Sequence, residues 1–385
     1  MKNRLIVLFL IVISGSLAFA GLNEDYQALQ QQFQKKRMLV RSQADMNKLT
    51  VEHMVALKKL LNQYEGKKLA ANEQMTMAEV LMSVDDLASA WDILKGVSNP
   101  ADPEKYNAMC ARSLFGLGKD VMAQTYLNKL NHQEQFYGMV NFGRAMSLLK
   151  EGKDREAVPY LKAVIGVVTL QDIYRIYAIN ALVTFYEDGG KHAEAMKLLG
   201  KSAKDSTYSG KARLELKNKE AAMTVTGKKC MNLQGIVRGF NGKAPILFQD
   251  RGKVIVLDFY APWCAPCRSA MSHLSKLYLE YRDKGLDVIG ITRLYGYYDD
   301  GKTREQNIPA MREANLVSNF VKEQNLSYPM VLLGKTDSLQ DYAVTGMPHV
   351  VLIDRKGVIR RVFTGMYSEK SFLAAVKKML DEKAE

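Results

Sequence analysis

Two cysteines separated by two residues are the feature of this 385-residue sequence best suited to chemistry. Cys264 and Cys267 follow an apolar run at residues 254–257, typical of a buried strand, and precede residues with helical apolar spacing. The backbone N–H groups and the dipole at a helix start stabilise a thiolate, which is the form that attacks disulfides. The pattern therefore predicts dithiol–disulfide exchange. Cys264 lies nearer the helix start, so we interpret it as the attacking thiol and Cys267 as the resolving thiol.

A Cys-x-x-Cys pair can also be half of a zinc site. A structural zinc ion takes four protein ligands, but the other two cysteines, Cys110 and Cys230, are isolated, and His273 and His349 form no ligand pair. The sequence thus favours redox chemistry, with no metal and no cofactor. Cys110 is predicted to be a small buried residue, and a disulfide between Cys110 and Cys230 stays open as an alternative.

Asp258 interrupts the apolar run just before the cysteines. A carboxyl group buried in a strand is costly to ionise, so its pKa should rise. A raised pKa suits a group that accepts a proton from Cys267 near neutral pH. The alternative is an aspartate that points to solvent, because alternate residues of a strand face opposite sides.

Two motifs together resemble a known family. Residues 256–268, V-L-D-F-Y-A-P-W-C-A-P-C-R, look like the thioredoxin active site, and residues 346–354, G-M-P-H-V-V-L-I-D, resemble the segment that carries the cis-proline of thioredoxins. The region between them is similar to the TlpA/ResA branch of extracytoplasmic thioredoxins. The resemblance covers about residues 230–385 and implies an α/β thioredoxin-like domain there, in agreement with the alternation of strand and helix patterns.

The resemblance also implies roles for individual residues. Asp258 matches the buried acid of thioredoxins, and Pro348 matches the cis-proline that packs against the dithiol. Trp263, Pro266 and Met347 would then contact the substrate. Relatives in the TlpA/ResA branch often carry a glutamate shortly after the second cysteine, but Ala270 stands at that position, so the role of that glutamate does not carry over.

The residues between the cysteines indicate the direction of the reaction. Ala265 and Pro266 offer neither a charge nor a side-chain donor to stabilise a thiolate, and strong stabilisation separates oxidants at about −120 mV from thioredoxin at about −270 mV. We therefore expect a reductant of protein disulfides, with an isomerase or oxidant as the alternative. A binding scaffold with a vestigial thioredoxin domain is a second alternative. A thiol peroxidase is disfavoured because Ala261 stands where a threonine is usual.

The N-terminus has the pattern of a secretory signal. Lys2 and Arg4 precede a short apolar core at residues 5–13, and Ala18 and Ala20 fit the small-x-small cleavage rule. We predict cleavage after Ala20 and export to the periplasm or cell envelope, with an uncleaved anchor as the minority alternative. In that oxidising compartment a reducing dithiol needs an electron donor, so we expect a membrane electron-relay protein as the reductant.

Residues 21–225 have helical periodicity throughout. Residues 21–65 suggest one or two long helices, and buried-type alanines then recur at Ala90, Ala123, Ala157 and Ala195, with spacings of 33, 34 and 38 residues. This period is close to that of tetratricopeptide repeats, although a plain helical bundle is the alternative. The expected fold class is thus an α+β multidomain chain. It has a signal peptide at residues 1–20, an all-α tetratricopeptide-like domain at 21–225 and a thioredoxin-like domain at 226–385.

The charge of the chain suggests no nucleic-acid partner. The formal net charge is +13, but the basic residues are dispersed, and basic motifs with interleaved aromatic residues are missing from the sequence. The expected partners are cysteine-containing proteins, selected by the helical domain. The individual substrate, the electron donor and the oligomeric state stay open.

Overall fold

The computed structural model describes residues 21–40, 42–242, 252–334, 338–365 and 367–382. The signal segment predicted at residues 1–20 lies outside these ranges. The chain divides into two compact units, Met1–Leu170 and Gln171–Glu385. Residues 171–225 thus belong to the same compact unit as the C-terminal sheet. The domain boundary predicted from the sequence at 225/226 remains a prediction about which part of the chain folds independently. None of the described helices combines the length and apolarity needed to cross a bilayer.

The described part of the first unit is helical. Its helices are α1 (Leu22–Met38), α2 (Gln43–Tyr64), α3 (Ala71–Ser83), α4 (Leu87–Leu94), α5 (Pro103–Gly116), α6 (Asp120–Leu127), α7 (Gln135–Lys150) and α8 (Asp154–Gly166). The region predicted to hold one or two long helices contains two, and Ser42 begins the second by accepting a hydrogen bond from the Asp45 N–H.

The repeated alanines lie where helices pair. Helices α3 and α4, α5 and α6, and α7 and α8 pack as successive pairs, and Ala90, Ala123 and Ala157 are fully buried within them. Gly118 and Gly152 adopt positive φ angles of 70° and 77° at the turns that end α5 and α7, a conformation that costs a side-chain-bearing residue energy. The sequence period therefore marks helical pairs, each with a small buried residue in its second helix.

The second unit begins with three helices and continues into a mixed sheet. Its elements are α9 (Asp172–Asp188), α10 (His192–Lys204), α11 (Gly210–Met223), β1 (Ile236–Phe240), β2 (Val254–Phe259), α12 (Ala265–Tyr281), β3 (Leu286–Arg293), β4 (Tyr297–Asp299), β5 (Arg304–Gln306), α13 (Ala310–Gln324), β6 (Met330–Leu333), α14 (Ser338–Asp341), β7 (His349–Ile353), β8 (Ile359–Thr364) and α15 (Glu369–Asp381). The strand order is β1-β6-β3-β2-β7-β8, and β4 pairs with β5 in a separate hairpin. The expected fold class, a helical region followed by a thioredoxin-like α/β domain, is confirmed.

Strand β2 lies in the middle of the sheet, parallel to β3 and antiparallel to β7. Its six residues are all buried, because helices cover both faces. Val254 and Val256 point to one side, into a core shared with α12, α13 and α15. Ile255, Leu257 and Phe259 point to the other side, toward a core that includes residues just after α11. We call these sides the α12 face and the α11 face.

The segment between α11 and β1 covers an edge of the sheet. The Gly227 N–H donates to the Ile359 carbonyl at 2.7 Å, and the Ile359 N–H donates to the Lys228 carbonyl at 2.9 Å. Helix α11 ends at Met223. The polar residues that follow it pair with β8, which protects an edge strand from pairing with other chains.

Candidate functional site

Cys264 and Cys267 form a disulfide at the start of α12, with their Cα atoms 5.2 Å apart. Cys264 is the N-cap residue of the helix, and its Sγ accepts a hydrogen bond from the Cys267 N–H at 3.2 Å. The sulfur therefore lies among the N–H groups that stabilise negative charge at a helix N-terminus. After reduction, this position favours a thiolate at Cys264.

The two cysteines differ in exposure. Cys264 is 8% exposed and Cys267 is fully buried, so an incoming sulfur can reach only Cys264 without a rearrangement. Pro266 is exposed in the first turn of α12, where its missing N–H removes no helical hydrogen bond. The Arg268 guanidinium donates to the Pro262 carbonyl and so braces the turn that precedes the helix.

Asp258 is completely buried in β2, and neither of its carboxylate oxygens hydrogen-bonds another described residue. Burial raises the pKa of this carboxyl group from 3.8 to about 7. Strand alternation directs it to the α12 face, where Cys267 is also buried. Of the two interpretations of the sequence, the structure shows the buried one. The geometry places a carboxyl group with a near-neutral pKa on the face that holds the resolving sulfur.

The register of the sheet brings Pro348 to the same end as the cysteines. In the antiparallel pair of β2 and β7, Phe259 lies opposite His349, so the residue before His349 lies beside the end of β2 that leads to Cys264. The bond between Met347 and Pro348 is cis, as the resemblance implied. His349 itself is buried, and burial lowers its pKa from 6.5 to about 4, so it stays neutral.

Aromatic side chains surround Trp263, the residue before the first cysteine. Its ring lies 4.4 Å from the ring of Tyr295 and 4.9 Å from that of Tyr297. Trp263, Tyr295 and Met347 all pack against the core that contains both cysteines. The resemblance implied substrate contacts for Trp263 and Met347, but no sequence signal assigned a role to the stretch between β3 and α13 that carries the two tyrosines. The structure shows that this stretch reaches the site.

A second buried acid was also missed. Glu313, in the first turn of α13, is 2% exposed and accepts hydrogen bonds from the N–H groups of Tyr295 and Gly296 at 2.7 and 2.8 Å. Glu313 lies beside residues of ordinary helical character in the sequence, so no local signal separated it from an exposed glutamate. Only the tyrosine-rich composition of the stretch between β3 and α13 could have drawn attention to this region.

The two remaining cysteines are not part of this disulfide. Cys110 is buried in α5, and burial raises the pKa of its thiol to about 11. Cys230 is buried on the α11 face of the sheet. Both remain thiols in the structure, so the disulfide that the sequence left open between them is not present.

Comparisons with known proteins agree on the C-terminal part of the chain. Residues 242–379 match the Redoxin family model. The thiol-disulfide oxidoreductase ResA of Bacillus cereus (strain ATCC 10987 / NRS 248) is 27% identical over 162 residues, which cover 42% of this chain and 82% of the relative. The thioredoxin-like protein YneN of Bacillus subtilis (strain 168) is 29% identical over 134 residues, 35% of this chain and 69% of the relative.

A solved structure is also similar to this chain. The thioredoxin domain of a thiol-disulfide oxidoreductase from Bacteroides vulgatus is 24% identical, with a TM-score of 0.32, and the match covers 40% of this chain and 98% of that structure. The sequence matches support a thioredoxin-like oxidoreductase activity, and the prediction that the chain is such an enzyme is confirmed.

Proposed function

We propose that this protein reduces disulfide bonds in exported proteins through the Cys264–Cys267 dithiol. One observation carries the proposal: the two sulfurs are bonded at a helix start, with Cys264 8% exposed and Cys267 fully buried. That asymmetry supplies one sulfur for attack from outside and one for attack from within. The relative named thiol-disulfide oxidoreductase ResA supports the same reaction class.

The reaction has two sulfur-exchange steps. The Cys264 thiolate attacks a substrate disulfide, so that a Cys264–substrate disulfide forms and one substrate thiolate leaves. Cys267 then loses its proton to the Asp258 carboxylate, and its thiolate attacks the Cys264 sulfur. This step closes the Cys264–Cys267 disulfide and releases the second substrate thiolate. Two electrons have then passed to the substrate, and Asp258 holds one proton.

Asp258 suits the second step because of where it lies. Its burial on the α12 face and its pKa of about 7 let it hold a proton at slightly acidic pH and accept one near neutrality. Cys267 is sealed from bulk water, so it needs a base inside the protein. Pro348, Met347 and Trp263 border the approach to Cys264, and we assign substrate contact to them, with Pro266 on the exposed rim.

The proposal includes a reducing direction and an electron donor. Ala265 and Pro266 add no charge near Cys264, which favours a thioredoxin-like potential. A membrane electron-relay dithiol, reached after export of the chain, would restore the reduced form by giving two electrons to the disulfide. The helical pairs of residues 21–170 would select partners, because they expose apolar side chains such as Val121, Met139 and Val168.

Equilibration with glutathione tests the direction. A potential near that of thioredoxin, about −270 mV, is expected, whereas about −180 mV, the value of disulfide isomerase, would indicate the isomerase or oxidant alternative. Insulin reduction tests the activity itself, since a vestigial domain would leave insulin intact.

Limited alkylation of the reduced protein tests the order of the cysteines. Cys264 should be labelled before Cys267, and the reverse order would overturn the assignment. A Cys267→Ser variant should then hold its substrate as a mixed disulfide at Cys264, which identifies the physiological partner directly.

A further inference from the structure

The stretch between β3 and α13 lies at the site end of the sheet. Strands β2 and β3 are parallel, with Phe259 opposite Ile291, so the chain leaves both strands at the same edge. The segment that begins with Tyr295 therefore emerges beside the turn that carries Trp263. Ligands of open α/β sheets bind at this edge, outside the carboxyl ends of the strands. From this position, the residues between β3 and α13 can contact a substrate that approaches Cys264.

Tyr295 contacts both segments that border the cysteine. Its ring meets Trp263 edge-on, with centroids 4.4 Å apart and planes at 76°, and its hydroxyl lies 3.8 Å from the Met347 sulfur. Tyr297 stacks on Trp263 from the hairpin, with an angle of 29° between the rings. Such aromatic pairs favour a defined geometry. We call Trp263, Tyr295 and Tyr297 the aromatic wall.

Glu313 fixes the position of this wall. A buried carboxylate is tolerated only when hydrogen bonds replace its lost hydration. Both oxygens of Glu313 accept backbone N–H groups of the wall segment, one from Tyr295 and one from Gly296. Gly296 has a positive φ of 80°, so the chain turns sharply where the carboxylate holds it. The Tyr295 ring is further covered by the Arg293 guanidinium, 4.9 Å from its centroid.

The hairpin behind the wall has independent anchors. Tyr298 points into the core and donates its hydroxyl to Asp300 at 2.9 Å. Arg312 pairs with Glu305 through two hydrogen bonds, at 2.6 and 3.1 Å. These contacts hold β4 and β5 against α13, so Tyr297 is presented from a braced element. A preorganised surface loses little entropy when it binds a partner.

From this arrangement we infer that Tyr295 and Tyr297 determine substrate specificity, and that Glu313 is the positioning residue that holds them. This inference rests on the proposed function. The rings favour substrates in which a large apolar side chain, above all an aromatic one, flanks the cysteine that Cys264 attacks. With only 8% of Cys264 exposed, a substrate segment must pass beside the wall to reach the sulfur. An aromatic ring of the substrate would add further edge-on and stacked contacts to those among the rings of the aromatic wall.

The test compares two peptide disulfides that differ only in a phenylalanine or an alanine beside the reactive cysteine. The reduced full-length chain is mixed with each, and the single-turnover rate is measured against peptide concentration. One additional aromatic contact corresponds to a preference of about tenfold for the phenylalanine peptide. Tyr295→Ala should bring the ratio of the two rates close to one, while Tyr295→Phe, which keeps the ring, should preserve it.

Glu313→Gln tests the positioning role. An amide has one acceptor oxygen where the carboxylate has two, so one N–H of the wall segment loses its partner. The half-saturating concentration of the phenylalanine peptide should rise several-fold, with a smaller change in the limiting rate, and the ratio between peptides should fall. Glu323→Gln is the matched control: Glu323 lies in the same helix but forms an exposed pair with Lys302, and its ratio should equal that of the native chain.

The outcomes separate the inference from the function it rests on. The specificity role of the aromatic wall is wrong if the native chain reduces both peptides at equal rates. It is also wrong if the preference for the phenylalanine peptide persists in Tyr295→Ala. Either result leaves the proposed function intact. Failure of the native chain to reduce either peptide or glutathione disulfide overturns both. If a Glu313 variant slows both peptides equally, its effect is general destabilisation and the positioning role is wrong.

Discussion

Buried tyrosines on the two faces of the six-stranded sheet differ in whether their hydroxyl groups have a hydrogen-bond partner. On the α11 face, the Tyr342 hydroxyl accepts from the Met231 N–H at 2.9 Å and donates to the Met231 carbonyl. On the α12 face, the hydroxyls of Tyr260 and Tyr328 hydrogen-bond no other described residue. Asp258 also lies on the α12 face, and neither of its carboxylate oxygens hydrogen-bonds another described residue.

The difference shows which part of the fold contains polar groups whose burial is energetically unfavourable. A buried polar group without a partner costs about 1–3 kcal/mol, so native cores carry few of them and those few often mark function. Asp258, Tyr260 and Tyr328 are groups of this kind on the α12 face. Burial raises the pKa values of Tyr260 and Tyr328, and the charge of an ionised Asp258 raises them further. The α11 face combines the satisfied Tyr342 and aliphatic side chains with the buried, neutral imidazole of His349, so the cost of burying a polar ring is not confined to the α12 face.

The largest expected contrast between the faces is that of their cysteines. Cys264→Ser removes the attacking sulfur on the α12 face, so turnover of insulin reduction should fall by at least about a thousandfold. Cys230→Ala removes a buried thiol on the α11 face, and turnover should stay close to native. Comparable losses in the two variants would mean that the chemistry is not confined to one face.

The second contrast concerns stability against pH. Burial raises the folded-state pKa of Asp258 above its unfolded value of 3.8 to about 7, so between these values the folded chain holds a proton that the unfolded chain has lost. Stability therefore falls as pH rises from 4 to 7, by about 4 kcal/mol at about 1.4 kcal/mol per pKa unit. The Asp258→Asn variant should not lose stability in this way, so the difference between its Tm and that of the native chain should increase from pH 4 to pH 7.

Leu257 supplies the matched control on the α11 face. Leu257→Ala creates a cavity and should cost about 2–5 kcal/mol, but this cost should be the same at pH 4 and pH 8 because no titrating group is changed. A pH-independent effect of Asp258→Asn would contradict the burial of an ionisable acid on the α12 face.

The third contrast separates the two steps of the reaction. Asp258→Asn removes the base for Cys267 and should slow the release of substrate from the mixed disulfide by about a hundredfold, with little effect on its formation. In the native chain the release rate should rise as pH passes through about 7, and the variant should lack this rise. Stopped-flow measurement of both steps would detect the difference, and equal slowing of both would reject the general-base role.

The smallest effect concerns what covers the α11 face. Ala222 and Val225 are buried in its core, so a fragment of residues 228–385 lacks them while a fragment of residues 171–385 keeps them. The shorter fragment should be less stable by about 2 kcal/mol for the lost burial, measured by urea unfolding. Both should reduce a small disulfide, because the α12 face is intact in each, and both should lose the native partner if residues 21–170 select it.

The local signals in the sequence gave most of the second unit correctly. The apolar run before Asp258 forms the start of β2, and the residues after Cys264 form α12, of which Cys264 is the N-cap. These features depend on residues close together in the chain, where strand patterning and capping chemistry act. The elements that were missed, β1 and the β4–β5 hairpin, depend on pairing partners far away or on turns too short to give a period.

The sequence by itself therefore determined a dithiol at a strand–helix junction, because the spacing of Cys264 and Cys267 and the flanking patterns are local. Only the tertiary structure decided that Asp258 is buried, since burial requires β3 and β7 on both sides of β2 and a helix above it. The link between Glu313 and the Tyr295 backbone was likewise invisible. It joins residues 18 positions apart through a turn whose path is set by the packing of α13.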